Sequence, residues 1–165
     1  MMLYRNFKRF FNKALRQPFY AFDVLRKRLA AYLYYRLSGG RSAWPEAITL
    51  FLTYRCNLRC KMCGQWGPGG AARGYSPDVL RSQLSRDEIR RLIADVRSFH
   101  PNITLFGGEP LLHPEFAGIV EDVKAAGLRC NVITNATLLE RFAARLVELG
   151  LDEIIFSLDG PREIH

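Results

Sequence analysis

Between residues 102 and 158 the sequence repeats itself in outline. Three short apolar runs rich in β-branched residues, "NITLF" (102–106), "LRCNVIT" (128–134) and "EIIFSL" (153–158), read as buried strands. Their starts are about 25 residues apart, the length of one strand–helix unit. An earlier run, "ITLFLTY" (48–54), has the same character. The segments between them have helical periodicity. Ser85 and Glu88 form a capping box, with Leu84 and Ile89 spaced for a hydrophobic staple. Ile89, Leu92, Ile93 and Val96 then share one face. Pro114 is expected to open a second helix, with Phe116, Ile119, Val120 and Val123 inward and Gly127 closing it. Residues 138–149 form a third, with Leu139, Phe142, Leu146 and Val147 inward and Gly150 at its end. Strands joined by helical crossovers must run parallel, so the expected fold is α/β, a parallel sheet covered by helices.

Charge divides the chain. Residues 1–43 carry ten Arg and Lys against one acid, Asp23, a net of +9; the other 122 residues sum to −1, against +8 for the whole. The expected organisation is a basic arm (1–43) followed by a near-neutral domain (44–165). That distribution argues against a nucleic-acid function for the whole protein. The arm reads as two helical pieces broken at Pro18. Leu3, Phe7, Phe10, Phe11 and Leu15 alternate with Arg5, Lys8, Arg9, Lys13 and Arg16; Phe22, Leu25, Leu29, Tyr32 and Leu33 form a second stripe, ended by "SGG" at 38–40. Such a pair suits packing on the main domain or a second subunit. Cations with interleaved aromatics also suit a membrane surface, through residues 1–37, or single-stranded RNA. No apolar run approaches a membrane span, and the N-terminus lacks the order of a signal peptide, so the expected location is cytoplasmic, with peripheral membrane contact open through the arm.

Each expected strand is followed at once by unusual residues: Cys56, Cys60 and Cys63 after the first, "GGEP" (107–110) after the second, "TNAT" (134–137) after the third, "SLDGP" (157–161) after the fourth. A parallel βα array places all four at one end of the sheet, where such folds build their sites. Singly, "DGP" is turn chemistry, "GGEP" a loop with a solvated acid, and "TN" a helix cap. Cys130 is a small core residue; His100 and His113, each before a proline in a loop, read as without chemistry. Together the four segments point to a site.

Three thiols within eight residues in a reducing compartment read as a metal site rather than disulfides. Zinc is one reading, but a structural zinc site wants four closed ligands and no second cysteine pair exists. An iron–sulfur cluster is the stronger reading. A four-iron cluster usually takes four thiolates, so three leave one iron open, and an open position on a metal is where substrate chemistry happens.

The C-x3-C-x2-C segment "CNLRCKMC" after the first strand, with "GGEP" after the second, resembles the signature of the radical S-adenosylmethionine (radical SAM) superfamily, nearest in style to its peptide-modifying and cofactor-building branch. The resemblance covers residues 48–165. It implies a partial TIM-like (βα) barrel, about four βα units of the family's six, preceded by the basic helical arm. It implies that Cys56, Cys60 and Cys63 bind a [4Fe-4S] cluster whose open iron is chelated by S-adenosylmethionine. Gly107, Gly108 and Glu109 would hold the methionine amino group, with Pro110 shaping the turn; Ser157 and Asp159 match the region that meets ribose and carboxylate, and Asn135 belongs to the same pocket. Met62 stands where the family usually has an aromatic residue against the adenine. The implied reaction is reductive cleavage of S-adenosylmethionine to methionine and a 5′-deoxyadenosyl radical, which abstracts hydrogen from an unidentified substrate. Peptide, small molecule and lipid all remain open, and an external electron donor is required. The alternatives are a non-enzymatic iron–sulfur or zinc-binding protein, or an inactive fragment. With four units in place of six, the chain is expected to be the front part of a longer enzyme or a truncated reading frame. The loop 64–83 is expected to overlie the site.

Overall fold

The computed structural model describes residue 15, residues 17–158 and residue 160. The first stripe of the arm (Leu3, Phe7, Phe10 and Phe11, with the cations between them), Asp159 and Pro161 lie outside the described residues. The chain falls into two compact units that divide between Glu46 and Ala47.

In the first unit the described element is one helix, α1 (Pro18–Leu37). Pro18 takes the first helical turn, where its missing N–H costs nothing. Ser38 closes the helix by donating its N–H and its hydroxyl to Tyr34 O (2.9 and 2.6 Å), and Gly39 and Gly40 then turn the chain at positive φ. Asp23 pairs with Arg26 and Lys27, and Arg28 with Glu46, each at 2.9 Å. No residue of α1 is buried. The expected stripe through Phe22, Leu25, Leu29, Tyr32 and Leu33 is exposed, and so are Phe19, Tyr34, Tyr35 and Leu37. At about 100° per residue these fall all round the axis, so the helix is not the one-sided amphipath the stripe suggested. Among the described residues, no helix is long and apolar enough to cross a membrane.

The second unit is a four-stranded, fully parallel sheet in the order β1 (Ala47–Phe51), β2 (Asn102–Phe106), β3 (Arg129–Thr134), β4 (Glu153–Phe156). Spatial order equals sequence order. The winding never reverses, as a doubly wound sheet requires, and it is the winding of a barrel segment. After β1 come a short helix, α2 (Pro77–Arg81), and then α3 (Arg86–Val96); α4 (Phe116–Ala125) and α5 (Leu139–Glu148) follow β2 and β3. Register sets Leu50 beside Leu105 and Leu105 beside Val132. Alternate residues of the strands, Leu50, Ile103, Leu105, Cys130 and Val132, are buried against Ile89, Ile93 and Val96 of α3, Phe116, Ile119, Val120 and Val123 of α4, and Leu146 of α5. The opposite strand face carries Thr49, Phe51, Thr104, Phe106, Asn131 and Ile133, all incompletely buried. One face covered and one face open is the cross-section of a partial barrel.

Several boundaries differ from the sequence reading. β1 ends at Phe51, because after Leu52, which donates to Phe106 O (2.9 Å), the chain leaves the ladder and Thr53 bridges Gln83 instead. β4 ends at Phe156, two residues early, with Ile155 and Phe156 exposed. Pro114 does not open α4: Glu115 is the cap and Phe116 the first helical residue. The loop 64–83 holds α2, whose start is marked by Ser76, its side chain accepting from Val79 N, and by Pro77. Val147 is not inward but 81% exposed. It sits about 100° round the axis from buried Leu146, on the flank away from Phe142. The capping box at Ser85 and Glu88 is formed in full, although Leu84 is exposed.

Ion pairs centred on Asp152 and Asp122 tie neighbouring elements together. Asp152 accepts Lys124 Nζ (2.6 Å) and the β3 amide of Cys130 (2.9 Å). Arg86, at the start of α3, grips Asp122 of α4 with two nitrogens (2.6 and 2.8 Å), and Gly118 leaves room for it, since a Cβ there would run into the guanidinium. The Arg86 hydrogen bonds hold the Asp122 carboxyl below the usual carboxylate range. The pair therefore stabilises the fold fully above the unfolded value of 3.8, and this contribution is lost as pH falls through the lower folded value. Asp122→Asn is expected to lower stability by about 1.5 kcal/mol at neutral pH. In urea unfolding the difference from the parent chain should close as the solution is acidified below 3.8. A difference that stays constant through that window would refute the assignment.

Candidate cluster and cofactor site

The four strand ends present their loops on one side of the sheet. The first loop is built from glycines and backbone contacts. Cys63 N–H donates to Cys60 O (3.1 Å), Gly67 N–H to Cys63 O (2.8 Å), and Ala71 and Ala72 N–H to Gly64 and Gln65 O (both 3.0 Å), winding the segment tightly. Gly67 has no room for a side chain, because a Cβ would lie 2.6 Å from the carbonyls of Lys61 and Cys63. Trp66 Nε1 donates to Tyr54 O (2.9 Å), and the Arg59 guanidinium lies 4.3 Å over the Trp66 ring while donating to the carbonyls of Cys56 and Leu58. Cys56 and Cys63 are half-buried and Cys60 exposed. Backbone amides aim at two of the sulfurs: Leu58 at Cys56 Sγ, and Gln65 and Trp66 at Cys63 Sγ, each at 3.4 Å.

The second loop is seated directly on the first. Gly107 has φ 152°, and a Cβ on it would stand 2.7 Å from Thr53 O; one on Gly108 would meet the carbonyls of Tyr54 and Arg55. Only glycine allows this approach. The N–H groups of Gly108 and Glu109 donate to Thr53 O (2.7 Å) and Arg55 O (2.8 Å). Glu109 is completely buried. Its Oε1 accepts from Leu111 N (3.1 Å) and Thr134 Oγ1 (2.8 Å), its Oε2 from Asn135 N (2.9 Å). Pro110 is buried and begins the turn Pro110–Leu112.

The third loop closes the arrangement. Thr134 is buried, and Ala136 stands at φ 64°, a strained value for alanine, supported by its N–H on Thr134 Oγ1 (3.0 Å). Asn135 Oδ1 accepts from Thr137 N (3.0 Å) and Thr137 Oγ1 (2.6 Å). Asn135 Nδ2 donates to Asn57 Oδ1 (3.0 Å) and lies 3.9 Å from Cys56 Sγ, and Asn57 Nδ2 returns to Thr137 Oγ1 (2.7 Å).

The structure thus brings Cys56, Gly107, Gly108, Glu109, Pro110 and Asn135 into one continuous assembly. Ser157 is exposed at the end of β4 and joins Thr134 O through its N–H (3.1 Å); Met62 is 74% exposed. Asn57, Thr134 and Thr137 belong to the same assembly and were not singled out as site residues from sequence. The signal was adjacency: Asn57 follows Cys56, and both threonines flank Asn135 within "TNAT".

The donor set fits an iron–sulfur cluster. Three soft thiols share one loop, two already receiving amide N–H groups of the kind that stabilise metal-bound thiolates. Burial pushes the Cys56 thiol up, the Leu58 amide on its sulfur opposes this, and Glu109 adds to it. Cys130 is apart, in the core, its thiol pushed up to about 12 by burial. Among the described residues no three His, Cys, Asp or Glu converge on the position of a single ion. A cluster asks for no such convergence, since each thiolate takes a different iron. A zinc site finds no fourth ligand in His113, whose Nε2 bonds Leu84 O (2.9 Å) and whose Nδ1 accepts Glu115 N (3.2 Å).

Comparison with known proteins agrees with this chemistry. Residues 50–165 match the family model described as the radical SAM superfamily. The chain is 35% identical over 115 residues to Fe-coproporphyrin III synthase of Methanosarcina barkeri, covering 68% of this chain and 27% of that one. It is 38% identical over 122 residues to GTP 3',8-cyclase of Microcystis aeruginosa, covering 70% and 35%. The chain thus spans about a third of the length of these relatives or less. In fold it is similar to BtrN in complex with AdoMet and 2-DOIA (TM-score 0.58, 21% identity, 70% of this chain and 46% of that one). It is also similar to Streptococcus suis SuiB bound to S-adenosylmethionine (0.55, 14%, 81% and 29%). With the family model matched over residues 50–165, on a singly wound parallel sheet with its three-thiol loop at the strand ends, the chain belongs to the radical SAM superfamily.

Proposed function

We propose that the chain carries the cluster-binding part of a radical SAM enzyme, with Cys56, Cys60 and Cys63 as ligands of a [4Fe-4S] cluster and S-adenosylmethionine at its open iron. The observation that carries this reading is the seating of the three-thiol loop on the "GGEP" and "TNAT" turns at one end of the sheet. When bound, the cluster and S-adenosylmethionine supply one-electron reductive cleavage and hence hydrogen abstraction. The chain's own residues position the ligands, wrap the half-buried sulfurs and exclude water from them.

Within "GGEP" the proposed roles divide by what each residue already holds. The Glu109 carboxylate already accepts from Leu111 N, Thr134 Oγ1 and Asn135 N, which favours the backbone carbonyls of Gly107 and Gly108 as acceptors for a methionine ammonium. Glu109 then acts by holding the turn. Pro110 shapes it; Met62, Ser157 and Asp159 remain proposed contacts for adenine, ribose and carboxylate.

The relatives' names cover a porphyrin and a nucleotide, and SuiB was crystallised with a precursor peptide, SuiA. Substrates so unlike one another make the reaction type the part that carries over, leaving peptide, small molecule and lipid open. An external electron donor belongs to the proposal. All four cysteines are free, which supports a thiol-reducing, cytoplasmic setting. For α1, contact with an anionic membrane surface is proposed from its cations beside exposed aromatics, not from a one-sided apolar face.

Reconstituted under argon, the chain should hold about four irons. S-adenosylmethionine should alter the EPR spectrum of the reduced cluster. Cys56→Ala, Cys60→Ala and Cys63→Ala should each lose the cluster while Cys130→Ala keeps it. Tight zinc uptake without iron would overturn the reading.

Glu109→Ala strands three donors, two of them fully buried, and should cost about 3 kcal/mol in denaturant unfolding of the metal-free chain. A loss below about 1 kcal/mol would place Glu109 outside the turn's support.

The chain should sediment with anionic vesicles more than with neutral ones, and salt should release it. Equal behaviour on both would remove the membrane reading of α1.

A further inference from the structure

The side-chain ring formed by Asn57, Asn135 and Thr137 leaves none of its polar atoms a choice of orientation. Thr137 N can only donate, so the atom of Asn135 facing it at 3.0 Å is the oxygen. The Thr137 hydroxyl has one proton, which goes to the same oxygen at 2.6 Å, so its lone pairs must receive Asn57 Nδ2 at 2.7 Å. That turns Asn57 Oδ1 towards Asn135 Nδ2, which reaches it at 3.0 Å with one of its two protons. The second N–H is the donor left over, and the sulfur 3.9 Å away is Cys56 Sγ. Beneath the ring, Asn135 N is fixed by the buried Glu109 carboxylate (2.9 Å). The ring spans residues 78 to 80 positions apart in sequence and joins the loops of two strands that are not neighbours in the sheet.

We propose that this ring is a positioning device for the cluster: it holds the Cys56 arm of the loop and directs the Asn135 amide at the Cys56 sulfur, where an N–H donor stabilises the more negative, reduced state of a bound cluster. The proposal rests on the cluster-binding reading above and assigns Asn135 to the protein's support of Cys56 rather than to S-adenosylmethionine. An amide donor beside a cluster thiolate disperses charge that reduction adds, so its removal makes reduction harder. Partners that orient a metal ligand also slow its release, and losing one costs roughly 10- to 100-fold in metal retention.

The test uses the full chain with Asn135→Asp, which keeps the oxygen that accepts from Thr137 and replaces the donor with an acceptor. Thr137→Val is the second variant; it keeps the Asn135 donor but removes the hydroxyl that orients both amides. Cooperative unfolding of the metal-free chains checks that both variants are folded. Two quantities are then read on reconstituted protein without S-adenosylmethionine: iron release to a chelator, and the midpoint of an EPR-monitored reductive titration. Asn135→Asp should release iron about tenfold faster and be reduced at a more negative potential. Thr137→Val should move both readouts in the same direction by less. A folded Asn135→Asp chain with the parent's release rate and midpoint overturns the proposal, as does a shift to a more positive midpoint. If the parent chain itself takes up no iron, the cluster reading fails first and the proposal falls with it.

Discussion

The buried carboxylate of Glu109 is the interaction on which the site is assembled. A carboxylate removed from water is costly unless its oxygens find donors, and here one oxygen takes the Leu111 amide and the Thr134 hydroxyl while the other takes the Asn135 amide. Those donors belong to the turn after β2 and the turn after β3. One side chain therefore fixes two neighbouring loops, and the amide of the same residue, donating to Arg55 O, fixes the loop after β1. The strand ends become one body through a single residue in the middle of the three.

That body also explains the glycines. β1 and β3 are separated by β2, which puts them about 10 Å apart. For Asn57 and Asn135 to meet, the intervening turn must carry nothing between them and must let the cysteine loop lie against it. Gly107 and Gly108 provide this: a Cβ at either would collide with the backbone of residues 53–55. The missing side chains of one loop are what let the side chains of its two neighbours touch. Ala136 bears the remaining strain at φ 64°, held there by Thr134 and the closed turn at Asn135.

The strands, the helices and the end of the sheet that carries the site were legible because each rests on a local, periodic signal. β-branched runs marked β1 to β4, and the capping box at Ser85 was visible in the identities of two residues. The cysteine spacing and "GGEP" were equally local. What was not legible depends on contacts between segments far apart. Nothing near residue 57 announces residue 135 or 137. The burial of Glu109 is decided by Thr134 and Asn135, some 25 residues on. Val147 read as inward because a helical stripe has soft edges, and only the width of the strand face beneath α5 decides which flank is covered. In α1 the aromatics outnumber any one face, so a stripe could be drawn through them although the helix buries none of its residues.

The same geometry separates two tasks that a three-cysteine site must combine. Holding a cluster calls for rigid, well-donated sulfurs, and Cys56 and Cys63 are half-buried with amides aimed at them. Exchanging electrons and admitting a cofactor calls for exposure, and Cys60, between them, is the exposed thiol. Rigidity therefore comes from the flanks of the loop. Cys63 is wound into the glycine turn behind it, and Cys56 is tied through Asn57 and Asn135 to β3. The central cysteine stays accessible between two held neighbours, the first of them tied to the loop after β3, a strand two places away in the sheet.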